Sequence, residues 1–216
     1  VTNRISEPDS MLDEHDKELV SMAMWSSEPI PFDPMERALH QAYEKYIDID
    51  ERPHYRLVHE YPLGGRPPMM THIFENEMGD RIIAAKGAPE ALLNRSQLTI
   101  QEKRQISEIV HSFSMEGFRV LAVARAIFSG DQFHSDQESF NFQFIGLVAF
   151  QDPPKKNISE VFDSFYKAGI KIKILTGDNE LTTATIAKKV GLKDVHQTLR
   201  GDELMQMSDK NLEERV

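Results

Sequence analysis

The chain contains no cysteine, which excludes disulfides and thiolate metal centres. It has no long apolar run. Nothing approaches the roughly 18–20 residues that a helix needs to cross a bilayer. No signal-peptide pattern opens it, since it begins Val1-Thr2-Asn3-Arg4. It lacks a basic excess: 25 Lys and Arg stand against 35 Asp and Glu, for a formal net charge of −10. That balance argues against a DNA or RNA partner, although a local basic pocket for a phosphate ligand is compatible with it. The eight histidines show no His-Glu-x-x-His spacing, so a zincin centre is unsupported. Asn94-Arg95-Ser96 and Asn157-Ile158-Ser159 match glycosylation sequons, and without a secretory signal they read as coincidental.

What is present describes a globular domain. Its 216 residues, 40% apolar and 28% charged, suffice for a sizeable core. Helices are predicted over 13–27 and 34–48. The second has Asp33 as N-cap, Pro34 at the first helical position and Glu36 where a capping box places its acid. Tyr55–Tyr61, Met69–Phe74 and Arg81–Lys86 read as strands, with a turn over Asn76–Gly79. Thr99 and Glu102 open a helix that stops at Gly117. Strands over Phe118–Phe128 and Asn141–Phe150 flank a polar loop at 129–138. Beyond 145 the rhythm becomes strand, helix, strand, helix, with a strand at Ile170–Leu175 and helices over 155–168 and up to Gly191. That alternation predicts a parallel sheet wrapped by helices. The boundary falls near 148, giving domains 1–148 and 149–216.

Three segments carry candidate chemistry. Thr176-Gly177-Asp178-Asn179 sits where a parallel strand would end and a helix begin. Ligands bind at that edge of open α/β sheets, and a hydroxyl, a glycine and a carboxylate suit a phosphate–Mg²⁺ environment. An ordinary N-cap turn has the same composition. Asp152-Pro153-Pro154-Lys155 follows the preceding strand at the equivalent edge, where a capped, proline-stiffened loop would look alike. In Lys86-Gly87-Ala88-Pro89-Glu90 a cation closes a strand beside a tight turn, an arrangement suited to a polyanion; an exposed lysine at a strand end is the usual case for a single Lys.

These segments together resemble the cytosolic catalytic region of P-type cation-transporting ATPases, most similarly the calcium-pump-like branch. Asp152–Lys155 and Thr176–Asn179 resemble its DPP(R/K) and TGDN pair, Lys86–Glu90 its KGAPE motif, and Asp33-Pro34-x-Glu36-x-Ala38-Leu39 the segment opening its nucleotide pocket. The resemblance spans about residues 30–205. It implies an α/β chain: an α+β nucleotide-binding domain with an antiparallel sheet flanked by helices, plus part of a haloacid-dehalogenase-like phosphorylation domain. It also implies ATP binding, as Mg-ATP, by Glu36, Tyr61, Arg66, Lys86, Gly87 and Arg119. In that reading Tyr61 stacks on adenine and Arg119 grips phosphate oxygens; without the resemblance Tyr61 reads equally as a core-facing strand aromatic and Arg119 as a solvated strand residue. Arg66 lies among Gly64-Gly65 and Pro67-Pro68, where the family's local pattern differs, and Met69 or Met70 is the alternative lining. Thr176 and Asp178 would support catalysis, with Asp152 and Gly177 supporting the phosphate site.

The family's Asp-Lys-Thr-Gly-Thr acceptor run and its Gly-Asp-Gly-x-Asn-Asp magnesium motif do not occur in the sequence. No complete metal site is therefore expected. The resemblance implies a soluble fragment from the cytoplasmic side of a membrane pump, partnered by the pump's transmembrane and actuator parts, that binds ATP without turnover. Its parallel segment would leave exposed strand edges and be the less stable part. A stand-alone haloacid-dehalogenase phosphatase would need an early Asp-x-Asp pair, and Asp48-Ile49-Asp50 falls at a helix end instead. A non-catalytic nucleotide sensor is the other alternative.

Overall fold

In the computed structural model the described residues are 11–151, 153–177, 180–195, 197–208 and 210–212. They divide into two compact units. One runs up to Val110 and resumes over Val120–Phe150; the other contains His111–Arg119 and the residues from Gln151 onward.

The first unit is built on a five-stranded sheet in the order β1 (Tyr55–Gly64), β2 (Met69–Asn76), β3 (Arg81–Gly87), β4 (Arg119–Ala126), β5 (Phe142–Phe150). The ladders joining β1 to β4 are antiparallel. Turn chemistry sets the β2–β3 hairpin. The Asn76 side-chain oxygen accepts from the backbone N–H of Met78 at 3.0 Å and of Asp80 at 2.8 Å. Gly79 supplies the positive φ of 85° that the turn needs.

Strand alternation sorts the side chains into two layers. On one face helices α1 (Glu14–Trp25) and α2 (Pro34–Tyr46) cover the sheet. Trp25 anchors α1 there, with edge-on ring contacts to Phe74 at 4.8 Å, Tyr55 at 5.6 Å and Tyr43 at 6.4 Å. Leu39 and Ala23 extend this layer over Val123 of β4. The other face buries Met69, Ile73, Ile83, Ala85, Ala122 and Ala124 under Leu92 of α3 (Pro89–Arg95) and the rings of Phe140 and Phe142. The polar residue of that layer is satisfied too: Thr71 donates to Gln137 at 2.9 Å, and Gln137 donates to the Met69 carbonyl at 2.9 Å.

Gly87 closes β3 against a neighbour that leaves no room. A Cβ there would stand 2.6 Å from Met69 Cα and 2.6 Å from the Pro68 carbonyl oxygen, both backbone.

Helix α4 (Ile100–Glu116) begins with the predicted capping box, in which Thr99 and Glu102 exchange hydrogen bonds. In the second unit Gly117, with φ 92°, ends that helix. Side chains of α6 (Glu180–Lys189) then donate to carbonyls at and just past its end: Lys189 to Glu116 at 2.7 Å and Thr182 to Phe118 at 3.0 Å. The unit also contains α5 (Ile158–Lys167) and the short α7 (Gly201–Leu204).

The predicted parallel sheet is not formed among the described residues. Its first strand is β5, which is taken by the sheet of the first unit. Ile170–Leu175 is not a strand; Ile170, Ile174 and Leu175 are exposed, Leu175 at 97%, and Ile172 is half-buried. A strand exists through its ladder partners, and among the described residues none lies beside this segment.

The close approach at Gly87 gives a direct test. Gly87→Ala should lower stability by about 2 kcal/mol, because the methyl group meets backbone that cannot turn aside. Urea unfolding of the two proteins measures it, and equal midpoints would contradict the packing described.

Candidate functional site

Lys86 is the penultimate residue of β3, opposite Met70 of β2 and Val123 of β4. Alternation turns its side chain to the α1–α2 face, where it is 6% exposed. The ammonium donates to Glu36 Oε1 at 2.6 Å, Ser27 Oγ at 2.8 Å and the Ser26 carbonyl at 2.9 Å. An ammonium has three N–H donors, so all are engaged. Burial pulls the Lys86 pKa below its ordinary value, and the hydrogen bond and charge of Glu36 oppose that fall.

Glu36 reaches Lys86 by leaving the role its spacing predicts. Asp33 caps α2, accepting from Met35 N–H at 2.8 Å and Glu36 N–H at 3.3 Å. The return bond of a capping box is absent from α2. The Glu36 carboxylate turns to Lys86 and also accepts from Glu28 N–H at 3.4 Å. The boxes at Asp13–Asp16 and Thr99–Glu102 do close. Those two lie at the surface, whereas Glu36 faces a buried cation. In a low-dielectric setting the charge-assisted bond is stronger than a solvated backbone cap.

The segment Ser26–Glu28, which leaves α1, is gripped by two histidines as well. His72 of β2 is fully buried on the same face, with Nδ1 3.0 Å from the Ser27 carbonyl. A carbonyl only accepts, so Nδ1 carries the proton and Nε2 bears the lone pair. That Nε2 is buried and has no hydrogen-bond partner. Burial also holds the His72 pKa below its usual range. His40 of α2 places Nε2 3.0 Å from the Glu28 carbonyl.

Tyr61 belongs to the other layer, which corrects the expectation that it shares a cleft with Lys86. It pairs with Thr71, packs in the cluster with Met69, Ile73 and Phe140, and donates its hydroxyl to the His134 carbonyl at 2.7 Å. The sheet separates it from Lys86. Its neighbour Glu60 pairs with His72 and so shares the Lys86 face. In a strand, one residue of register decides the face. The register here is set by irregularities between Leu57 and His59 and between Tyr61 and Gly64, which no periodicity argument contained.

Arg66 is exposed in the β1–β2 connection, before a cis Pro67. Met70, the alternative lining residue, stands beside Lys86, whereas Met69 faces the other layer. Gly87 acts through the close approach described above. Arg119 opens β4 and is exposed. Thr176 and Gly177 are exposed in the second unit. Asp152 and Asp178 lie outside the described residues. Sequence reasoning missed Ser26, Ser27, Glu60 and His72. Only His72 gave a signal: a polar ring in phase with Met70 and Phe74, on the side of the strand that must be buried.

The buried pair predicts an asymmetric mutational response. Lys86→Met should cost about 3 kcal/mol, because it strands the Glu36 carboxylate under the helices. Adding Glu36→Leu should recover most of that loss. Guanidinium unfolding of the single and double variants measures this, and equal losses would show that the pair does not govern this interface.

A model of the family described as "P-type ATPase, cytoplasmic domain N" matches residues 30–157. A calcium-transporting ATPase of Bacillus subtilis (strain 168) is 31% identical over 74% of this chain and 19% of its own length. Calcium-transporting ATPase 1 of Bacillus cereus (strain ATCC 10987 / NRS 248) is 30% identical over 92% of this chain and 24% of its own. Magnesium-transporting ATPase, P-type 1, of Salmonella typhimurium is 29% identical over 64% of this chain and 16% of its own. The chain thus spans at most about a quarter of the length of these relatives. Taken with a KGAPE-like segment that ends β3 and a DPxE-like segment that opens α2 meeting in one buried pair, these matches establish that the chain belongs to the P-type cation-transporting ATPases, in the region of their cytoplasmic N domain.

Proposed function

We propose that this chain is the ATP-binding head of a cation-transporting pump, and that nucleotide binds on the α1–α2 face beside Lys86. The observation that carries the proposal is the Lys86–Glu36 pair. It brings together two segments 50 residues apart, at 2.6 Å, each matching a motif of the family's nucleotide pocket. Met70, next to Lys86 across the ladder, offers a soft apolar surface to a base. Arg119 resembles the family's phosphate-gripping arginine, and a guanidinium fits two phosphate oxygens. Tyr61 is assigned to the core of the opposite layer.

Since the three Lys86 donors are already engaged, a nucleotide group gains a bond from this lysine only by displacing one. Binding is therefore weak. Phosphoryl transfer consists mainly of positioning and charge stabilisation around an acceptor, and the 216 residues contain no Asp-Lys-Thr-Gly-Thr acceptor run. The head holds Mg-ATP and presents it, while the acceptor, the membrane spans and the actuator belong to the rest of a pump on whose cytoplasmic side the head lies. The motifs here do not select an ion.

Calorimetric titration with Mg-ATP tests the reading. One site of sub-millimolar to millimolar affinity is expected, with no transfer of radiolabelled γ-phosphate to the protein. Lys86→Arg, which keeps the charge but not its shape, should weaken binding about tenfold, or about 1.4 kcal/mol. Tyr61→Phe should leave binding unchanged. Undetectable binding, or Lys86→Arg binding like the wild type while folded by circular dichroism, would overturn the assignment.

A further inference from the structure

We propose that His72, Glu28 and Glu60 form a binding site for a divalent transition-metal ion on the α1–α2 face of the sheet. Three donor atoms, one from each residue, lie within 4.8 Å of one another. The residues come from three separate places: β2, the segment after α1, and β1. Tetrahedral binding at about 2.0–2.2 Å needs donors about 3.3 Å apart. Glu60 is exposed and Glu28 half-buried, so both carboxylates have side-chain freedom with which to draw in around an ion. The histidine is already set.

The feature that points to a metal is the state of His72. Its Nδ1–H is committed to the Ser27 carbonyl at 3.0 Å. This is the outer bond that fixes tautomer and ring orientation in metal-binding histidines. Its Nε2 lone pair is buried and meets no hydrogen-bond partner. An orphaned buried acceptor is costly unless something outside the chain meets it. The backbone of Glu28 is equally constrained, since its carbonyl lies 3.0 Å from His40 Nε2 and its N–H bonds to Glu36 at 3.4 Å.

Electrostatics favour a cation. Three carboxylates, Glu28, Glu36 and Glu60, act here against the single ammonium of Lys86, which Glu36 already neutralises. One imidazole with two carboxylates suits Zn²⁺, Mn²⁺ or Fe²⁺; Mg²⁺ and Ca²⁺ prefer oxygen ligands alone. The site is independent of the nucleotide reading, because none of its ligands is assigned to ATP.

The test uses the whole chain, stripped with chelator and free of nucleotide. Calorimetric titration with ZnCl₂ should give one site of micromolar affinity, and Zn²⁺ should raise the melting temperature where equimolar Mg²⁺ does not. Outer-shell partners alone are worth about 10–100-fold in affinity, so Glu60→Gln, which removes a ligand from an exposed position, should weaken Zn²⁺ at least about tenfold. His72→Gln should abolish the site. Millimolar or undetectable binding by the wild type would overturn the proposal. So would Glu60→Gln binding Zn²⁺ as tightly as the wild type, whatever His72→Gln does, because binding would then belong to other histidines.

Discussion

A lysine ammonium buried between a sheet and two helices dictates much of what surrounds it. Lys86 must be met by acceptors on every side, and the chain supplies them from two directions: Glu36 from the first turn of α2, and Ser26 and Ser27 from the exit of α1. That requirement fixes where α2 starts relative to β3. It explains why the helix surrenders half of a capping box, and why the α1 exit is tethered by buried side chains. An ion pair in this position adds little net stability over a well-packed apolar contact. What it does is enforce one arrangement of three elements, and the same arrangement brings Glu28, Glu60, Met70 and His72 to one face of the sheet.

The opposite face works differently. Its layer of alanines, aliphatic side chains and linked phenylalanine rings is held by packing, with Tyr61 and Gln137 donating to the carbonyls of His134 and Met69. The contrast is one of content: the Tyr61 side is packed mainly from apolar side chains, whereas the α1–α2 side adds a buried charge pair, His40, His72 and a tethered loop to its own apolar cluster around Trp25. The second unit has the helices expected for the start of a parallel α/β domain but no ladder among its described residues. Helices satisfy their own backbone groups, whereas strands need neighbours, so helices are what this segment forms.

Much of the first unit was legible in the sequence. Asp33-Pro34, Thr99 with Glu102, Asn76–Gly79 and Gly117 are local devices whose chemistry works over a few residues, and each ends or begins an element where expected. Strands β1, β2 and β3 were visible as β-rich runs over Tyr55–Tyr61, Met69–Phe74 and Arg81–Lys86, each one to three residues short of the observed end. What could not be read was non-local. The face occupied by Tyr61 depends on strand irregularities that flip side chains by one position. The role of Glu36 depends on a cation 50 residues away. The strand expected at Ile170–Leu175 was placed by alternation alone, which records an apolar pattern without its partner. At the candidate site, Lys86 and Glu36 were identified from their motifs, while Ser26, Ser27 and Glu60 carry no mark until the fold places them together.

The account stands on nucleotide meeting the α1–α2 face and not the phenylalanine layer. The most direct measurement is the map of amide and methyl chemical-shift changes when Mg-ATP is added to the isotope-labelled chain. Changes concentrated at Ser26, Ser27, Met70 and Lys86 are what the account predicts. Changes concentrated instead at Tyr61, Gln137 and Phe140, with the Lys86 side silent, would contradict it.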